Sequence, residues 1–594
     1  MAPSQVLYLP ESPHLDISDT DTSPGIRPTL DLSPGAMNEK LSDDPAAISS
    51  DNSDKEEEET YTYDVTRDCK SQQNTQQTEI VWQYLTFDTE LPLPTTIHPQ
   101  QPSQVLPPPP PDLVKYTNPF DWSETRKRFI IWTSCVITAL TAFSAGSYSP
   151  GVEQMTKEWG VSKVAALCGI TTFTTGFALA PMCLAPFSEI NGRRPVFLAS
   201  GVVFVICQLC SGLTRSLAGM LVTRFFLGIG GSTFSTMVSG VVSDIYHPEE
   251  RNTPMALFTG AALFGTSSGP LVCGFIAQNT TWRWIFYTQA ISCGVLVALL
   301  FVVFKETRGS VLLSRKAKAL NKWYCAREEA GYFGFNVLDG HKPESTTSLR
   351  LRWKVKSDEE RASLSKMISI SLSRPFYLLF TEPVVFWFSM WISFAWGILY
   401  LTLAAIPLVF RSIHGFSLQE ANAVFAFMTV ASILATILSI YQEKIAKRYG
   451  KATGTAESRL YFACIESGFM PIGLFMFGWT SFEKISWAAP AIAIGIASIG
   501  IFSIYLATFN FLADTYHRYA SSAIAAQSFC RNILGGVFPL ITERMYKSLG
   551  YGPASSLLGG IGALLTIVPW ILVFYGPRIR ARSKFASEIM NGAD

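Results

Sequence analysis

Twelve apolar runs, each near the ~20 residues needed to cross a hydrocarbon core, constrain this chain more than any other feature. They fall near 129–149, 164–187, 195–214, 218–242, 254–277 and 284–304, then near 383–408, 420–442, 459–479, 487–511, 520–540 and 554–576. In lipid a helix satisfies its own backbone, so runs of this length read as membrane spans. A polar, basic segment at 305–376 divides them six and six. The fold class expected is all-α integral membrane, with twelve transmembrane helices in two six-helix bundles behind a disordered N-terminal tail.

Charge refines that layout. Residues 1–115 hold 20 Asp/Glu and 6 Lys/Arg, a formal −14 against +1 for the whole chain, so the rest carries +15. The tail is rich in Ser, Thr, Pro and acid, with Glu56–Glu59 and the proline run Pro107–Pro111, and it lacks the apolar surface to offset chain entropy. The expected division is therefore a disordered acidic cytoplasmic tail (1–125), a first bundle (126–304), a cytoplasmic linker (305–376), a second bundle (377–577) and a basic tail (578–594). Within the linker, Val311–Glu329 sets Leu312, Leu313, Ala319, Leu320 and Tyr324 against a basic face. Such a helix lies on anionic lipid or packs as a soluble amphipathic element, and the sequence leaves both open.

Short loops rich in Lys and Arg stay in the cytoplasm. Arg193, Arg194, Arg251, Lys444, Arg448 and Lys451 all fall on one side of the twelve-span layout, together with Arg578, Arg580 and Arg582. Both termini are expected in the cytoplasm. No basic segment followed by an apolar core opens the chain, so the first span is expected to direct targeting. No GxxxxGK[ST] loop, nucleophile–base constellation or metal-ligand cluster is visible, and the eleven cysteines lack metal or disulfide spacing. An enzyme is a poor fit, and no cofactor, metal or nucleic-acid partner is expected.

Three local strings carry more. Ala185–Pro195 (APFSEINGRRP) packs Glu189, Gly192, Arg193 and Arg194 into a short loop between spans 2 and 3. Arg224 lies inside span 4, where a cation is costly unless it faces a bundle interior. Span 5 reads ALFTGAALFGTSSGPLVCG, with small residues that let helices approach closely and a proline that bends the helix.

Together these strings resemble the major facilitator superfamily, in its fungal branch of twelve-span drug:proton antiporters. The loop is similar to that family's G-x3-[DE]-x2-G-[RK]-[RK], with Ala185 in place of the first glycine. Span 5 is similar to the antiporter signature G-x8-G-x3-G-P-x2-G-G, with Gly265, Gly269, Pro270 and Gly274 matching and with Ala256 and Cys273 replacing glycines. The resemblance implies proton coupling at Arg224, a charge lock at Glu189, Arg193 and Arg194 with Gly192 turning the chain, and a gate at the span 5 glycines that bulk at Gly269 would freeze. It also places a substrate cavity between the halves. Span 2 would contribute Phe173 and Phe177, span 7 Trp391, Trp396 and Tyr400, and span 10 Tyr505 and Asn510. Aromatic rings there would hold flat apolar molecules or attract organic cations. Glu466 in span 9 needs a partner, and Arg531 in span 11 is the available cation.

The function expected is proton-coupled export of small organic, amphiphilic or toxic molecules by a monomer in contact with membrane lipid. The plasma membrane is the expected site, with the vacuolar membrane as the alternative. A polyamine, nutrient or siderophore transporter of the same fold is the nearest rival. A non-transporting membrane sensor is another, and it would lose its function if residues 1–115 were deleted.

Overall fold

The computed structural model describes residues 80–93, 108–247, 250–330, 332, 334–339, 342–348, 350–359, 364–448, 456–516 and 519–583. The acidic run Glu56–Glu59 and residues 584–594 of the basic tail lie outside them. All twelve apolar runs are helical. Spans 1–6 are Glu124–Trp159, Lys163–Asn191, Arg193–Leu213, Leu217–Ile245, Asn252–Asn279 and Arg283–Val303. Spans 7–12 are Pro383–His414, Leu418–Ile445, Glu457–Thr480, Ala488–Tyr516, Ala520–Leu549 and Tyr551–Arg582. Span 1 outruns its apolar core because a 3-10 turn at Ser149–Gly151 carries it into a second helix, Val152–Trp159. Pro150 has no N–H to continue the ladder, and Gly160 at φ +64° ends the second piece.

Burial orders the spans. Within their apolar windows spans 7 and 10 are 83% buried, whereas spans 6 and 12 are 33% buried. Val295 and Val302 of span 6 and Leu564 and Phe574 of span 12 point outward. Apolar side chains on such faces are what lipid solvates.

The halves meet along two seams. Span 5 runs beside span 8, where the Thr429 hydroxyl donates to Ser267 Oγ at 3.0 Å. Span 2 runs beside span 11, where Thr171 donates to the Gly536 carbonyl at 2.8 Å. At the face where span 1 begins and span 12 ends (the termini face), Asn510 donates to Asn252 at 2.9 Å and Thr253 to Glu443 at 2.9 Å. At the opposite face, Ser149 donates to the Leu403 carbonyl at 2.8 Å, and Arg411 pairs with Glu153 at 2.8 Å. A further helix, Leu364–Thr381, packs on spans 2 and 11, with Phe376 edge-on to Phe529 at 5.0 Å.

The described residues up to Leu113 and within 314–358 form a separate compact unit. It contains β1 (Ile80–Tyr84), β2 (Gly334–Asp339), β3 (Lys342–Ser348) and β4 (Arg350–Lys354). β2 pairs with β3 antiparallel, and β1 pairs with β4 in parallel, Ile80 opposite Arg350. Part of the tail expected to be disordered is thus a strand, because an apolar pentad (IVWQY) finds a partner edge some 270 residues away. The helix Gly309–Glu329 contributes residues from Ser314 on. Ala317, Leu320 and Tyr324 are buried, Tyr324 donates to the Pro92 carbonyl at 2.8 Å, and Trp323 donates to that of Pro108 at 3.1 Å. These contacts bury the apolar residues of the helix against segments 80–93, 108–113 and 350–354 of the same unit.

Asn321 ties that helix to β4 twice, accepting from Trp353 N at 2.8 Å and donating to Trp353 O at 2.9 Å. Asn321→Ala leaves both buried groups unpaired and is expected to cost about 1–3 kcal/mol. Faster proteolysis within 314–358, at an unchanged melting temperature of the spans, would report it.

Candidate functional site

The Ser216 hydroxyl accepts from Gly219 N and starts span 4, two turns before Arg224. Arg224 is fully buried. Its Nε donates to the Gly169 carbonyl at 3.2 Å and Nη1 to that of Ser144 at 3.3 Å, and its guanidinium lies 4.6 Å from the ring centres of both Tyr148 and Phe173. Helix carbonyls and ring faces compensate part of the charge, and no carboxylate reaches it among the described residues.

The second half holds a similar arrangement. Arg531 of span 11 is fully buried, with its guanidinium 4.6 Å from the Trp396 ring, 4.9 Å from Tyr505 and 5.8 Å from Phe509. The expected pair with Glu466 does not form: Glu466 bonds Gln442, and Arg531 sits in an aromatic cage. The two lie on different faces, a relation that the spacing of spans 9 and 11 does not encode. Tyr400 is buried 6.1 Å from the Trp396 ring.

Six of the seven residues expected to line a cavity are buried, and five of them lie at or beside these cages. Phe173 and Phe177 lie 5.8 Å apart on span 2. Trp391 packs on Phe388 at 5.8 Å, with its indole nitrogen unpartnered. Trp396 and Tyr505 lie against Arg531, and Tyr400 neighbours Trp396. Asn510 is elsewhere, bonded to Asn252 where the halves touch at the termini face.

The expected loop is a single residue, Gly192, between spans 2 and 3, and the helix ends that meet there build a clasp at that same face. Asp244, at the end of span 4, bridges Arg193 at 3.2 Å and Arg308 at 2.9 Å. Glu306 accepts from the backbone N–H of Arg193 at 2.8 Å and of Arg194 at 3.3 Å, capping span 3. Arg194 also donates to the Phe301 carbonyl at 3.1 Å. Burial disfavours the Arg308 charge, but Asp244, Glu189 and Glu306 outweigh it and hold the guanidinium above its ordinary range. The direct acids are therefore Asp244 and Glu306, and Glu189 contributes through its field. The second half repeats the device with Arg459 on Asp514 at 3.0 Å and Arg580 on Glu457 at 2.5 Å. Sequence reasoning missed that repeat because its loop lacks the glycine–arginine string.

Gly192 explains its own position. Its φ is +99°, and a Cβ would lie 2.1 Å from Glu306 Oε2. Gly192→Ala combines backbone strain with displacement of the capping carboxylate. It is expected to cost about 1–3 kcal/mol, read as a lowered melting temperature.

The span 5 glycines divide by neighbour. A Cβ on Gly265 would meet the Ala139 carbonyl oxygen at 2.1 Å, and one on Gly269 that of Phe143 at 2.5 Å, both on span 1 of the same half. A Cβ on Gly274 would meet Asn422 of the other half at 2.4 Å. Pro270 lies against span 1 beside Gly146. The seam between halves thus runs through Gly274, while Gly265 and Gly269 hold one half together.

Two six-helix halves joined by a few polar contacts at each face, each with a buried arginine among aromatic rings, define a twelve-span membrane carrier. A sequence model of the Major Facilitator Superfamily matches residues 134–539, and the chain belongs to that family. It is 33% identical over 79% of its length to the transporter paaT of Penicillium rubens, covering 82% of that protein. It is 31% identical to the efflux pump FUB11 of Gibberella moniliformis (78% of this chain, 74% of that one) and 30% identical to the multidrug transporter TPO1_1 of Candida glabrata (79% of each). The proton:xylose symporter XylE shares the fold at a TM-score of 0.54 and 14% identity, over 76% of this chain and 97% of that one.

Proposed function

We propose that this protein exports small organic molecules against their gradient in exchange for protons, by alternating access between its two halves. The observation that carries the reading is the pair of buried cations, Arg224 and Arg531, one from each half, lying between the bonds that join the halves at either face. Arg224 serves proton coupling, since a charge without a fixed carboxylate partner responds to protonation and ligand state around it. Release of the Arg193–Asp244–Arg308 clasp, with Glu189 beside it, accompanies opening at the termini face. The efflux pumps and multidrug transporters among the relatives support export over import.

The basic residues Arg193, Arg194, Arg308, Arg459 and Arg580 at the termini face support a cytoplasmic location for it by the positive-inside rule. The plasma membrane is the proposed location, with the protein a monomer whose outward apolar faces contact lipid. Purified protein in liposomes with an acidic lumen should accumulate lipophilic compounds inside, and a protonophore should abolish the accumulation. Failure to accumulate any compound at any pH difference would reject export.

A further inference from the structure

We infer that the transported molecules are organic anions, a carboxylate on a flat apolar body, bound at Arg224 and Arg531; this rests on the export reading above. The central aromatic rings would ordinarily be read as a trap for organic cations. Here the chain's own guanidinium groups occupy them: Arg224 covers Tyr148 and Phe173, and Arg531 covers Trp396, Tyr505 and Phe509. A cationic ligand would have to approach two fixed, fully buried positive charges. No carboxylate among the described residues pairs with either arginine, because Glu466 is engaged by Gln442 and Asp514 by Arg459.

The hydrogen-bonding inventory leans the same way. Arg224 Nη2, Arg531 Nε and Nη1 and the indole nitrogen of Trp396 are buried without a partner. All of these are donors only. Tyr505 Oη and the Gln527 amide, one helical turn from Arg531, are also unpartnered. Buried donors left unmade are expensive, and a carboxylate supplies about four lone-pair sites for them. Guanidinium forks match carboxylate geometry, and the surrounding rings offer flat apolar surface to the rest of the molecule.

The test is equilibrium binding to the full chain in nanodiscs, with no pH gradient, of three radiolabelled ligands that share one ring system: naphthoate, naphthamide and naphthylmethylammonium. Naphthoate is expected to bind at least tenfold more tightly than the other two. Arg531→Gln should lower naphthoate affinity about ten- to a hundredfold and leave naphthamide little changed. Arg531→Lys, which keeps the charge, should preserve the ligand order at reduced affinity, and it decides the matter if Arg531→Gln does not fold. Equal or tighter binding of the ammonium or the amide, no binding of any of the three, or an unchanged order in folded Arg531→Gln would overturn the inference. Because no gradient is involved, naphthoate binding without accumulation in acidic liposomes would reject export alone. Accumulation without anion preference would reject this inference alone.

Discussion

Arg224→Ala is expected to abolish proton-driven transport while leaving an inserted, folded protein. The guanidinium makes two hydrogen bonds to helix carbonyls and lies on two rings, but it satisfies no buried acid whose charge would be stranded by its removal. Removing one partner of a buried ion pair is strongly destabilising; removing an uncompensated cation is not, because its desolvation cost is relieved at the same time. Transport should fall about a hundredfold or more, corresponding to lost charge-assisted bonds of roughly 3 kcal/mol. Arg224→Lys should recover only part of it, since an ammonium cannot reach both the Gly169 and Ser144 carbonyls as the planar fork does. Uptake into proteoliposomes, measured beside the thermal unfolding midpoint, checks both halves of this expectation. Full transport in the alanine variant would remove Arg224 from the mechanism.

The second large effect divides one signature into two phenotypes. At Gly265 even alanine would place Cβ 2.1 Å from the Ala139 carbonyl oxygen, and Gly146 shows the reciprocal approach, 2.2 Å from that of Thr266. Neither contact can be relieved by turning a side chain, so spans 1 and 5 must part. Overpacking of this kind costs about 1–3 kcal/mol, occasionally more. Gly265→Ala and Gly269→Leu are therefore expected to lower thermal stability and yield, not to lock an otherwise intact gate. Gly274→Ala meets the side chain of Asn422 across the seam between halves. It should leave each half intact and slow transport instead. Melting temperatures and transport rates of the three variants together provide the check, and a Gly265→Ala protein as stable as its parent would contradict the packing.

The span count and the six-plus-six division were legible because hydrocarbon thickness sets a length that no soluble core requires. Arg224 was legible as a cation inside an apolar run, and Gly192 as the turn in a charged loop. Arg531 was visible but assigned to the wrong neighbour. Its cage is assembled from Trp396, Tyr505 and Phe509 on spans 7 and 10, and no local pattern announces which helix faces meet. Gly269 was read as part of a moving seam because sequence shows that small residues permit close approach without showing which helix approaches. β1 escaped notice because composition averages over a long acidic tail, and a parallel pairing between Ile80 and Arg350 leaves no short-range trace.

Alternating access requires the two halves to part at one face while they close at the other. In a background without the eleven native cysteines, Glu153→Cys with Arg411→Cys bridges one face, and Asn252→Cys with Asn510→Cys bridges the other. Linking either pair with a short bis-thiol reagent should stop proton-driven transport in proteoliposomes, and reduction should restore it. Transport at the unlinked rate, with either bridge fully formed, would contradict alternating access in this protein.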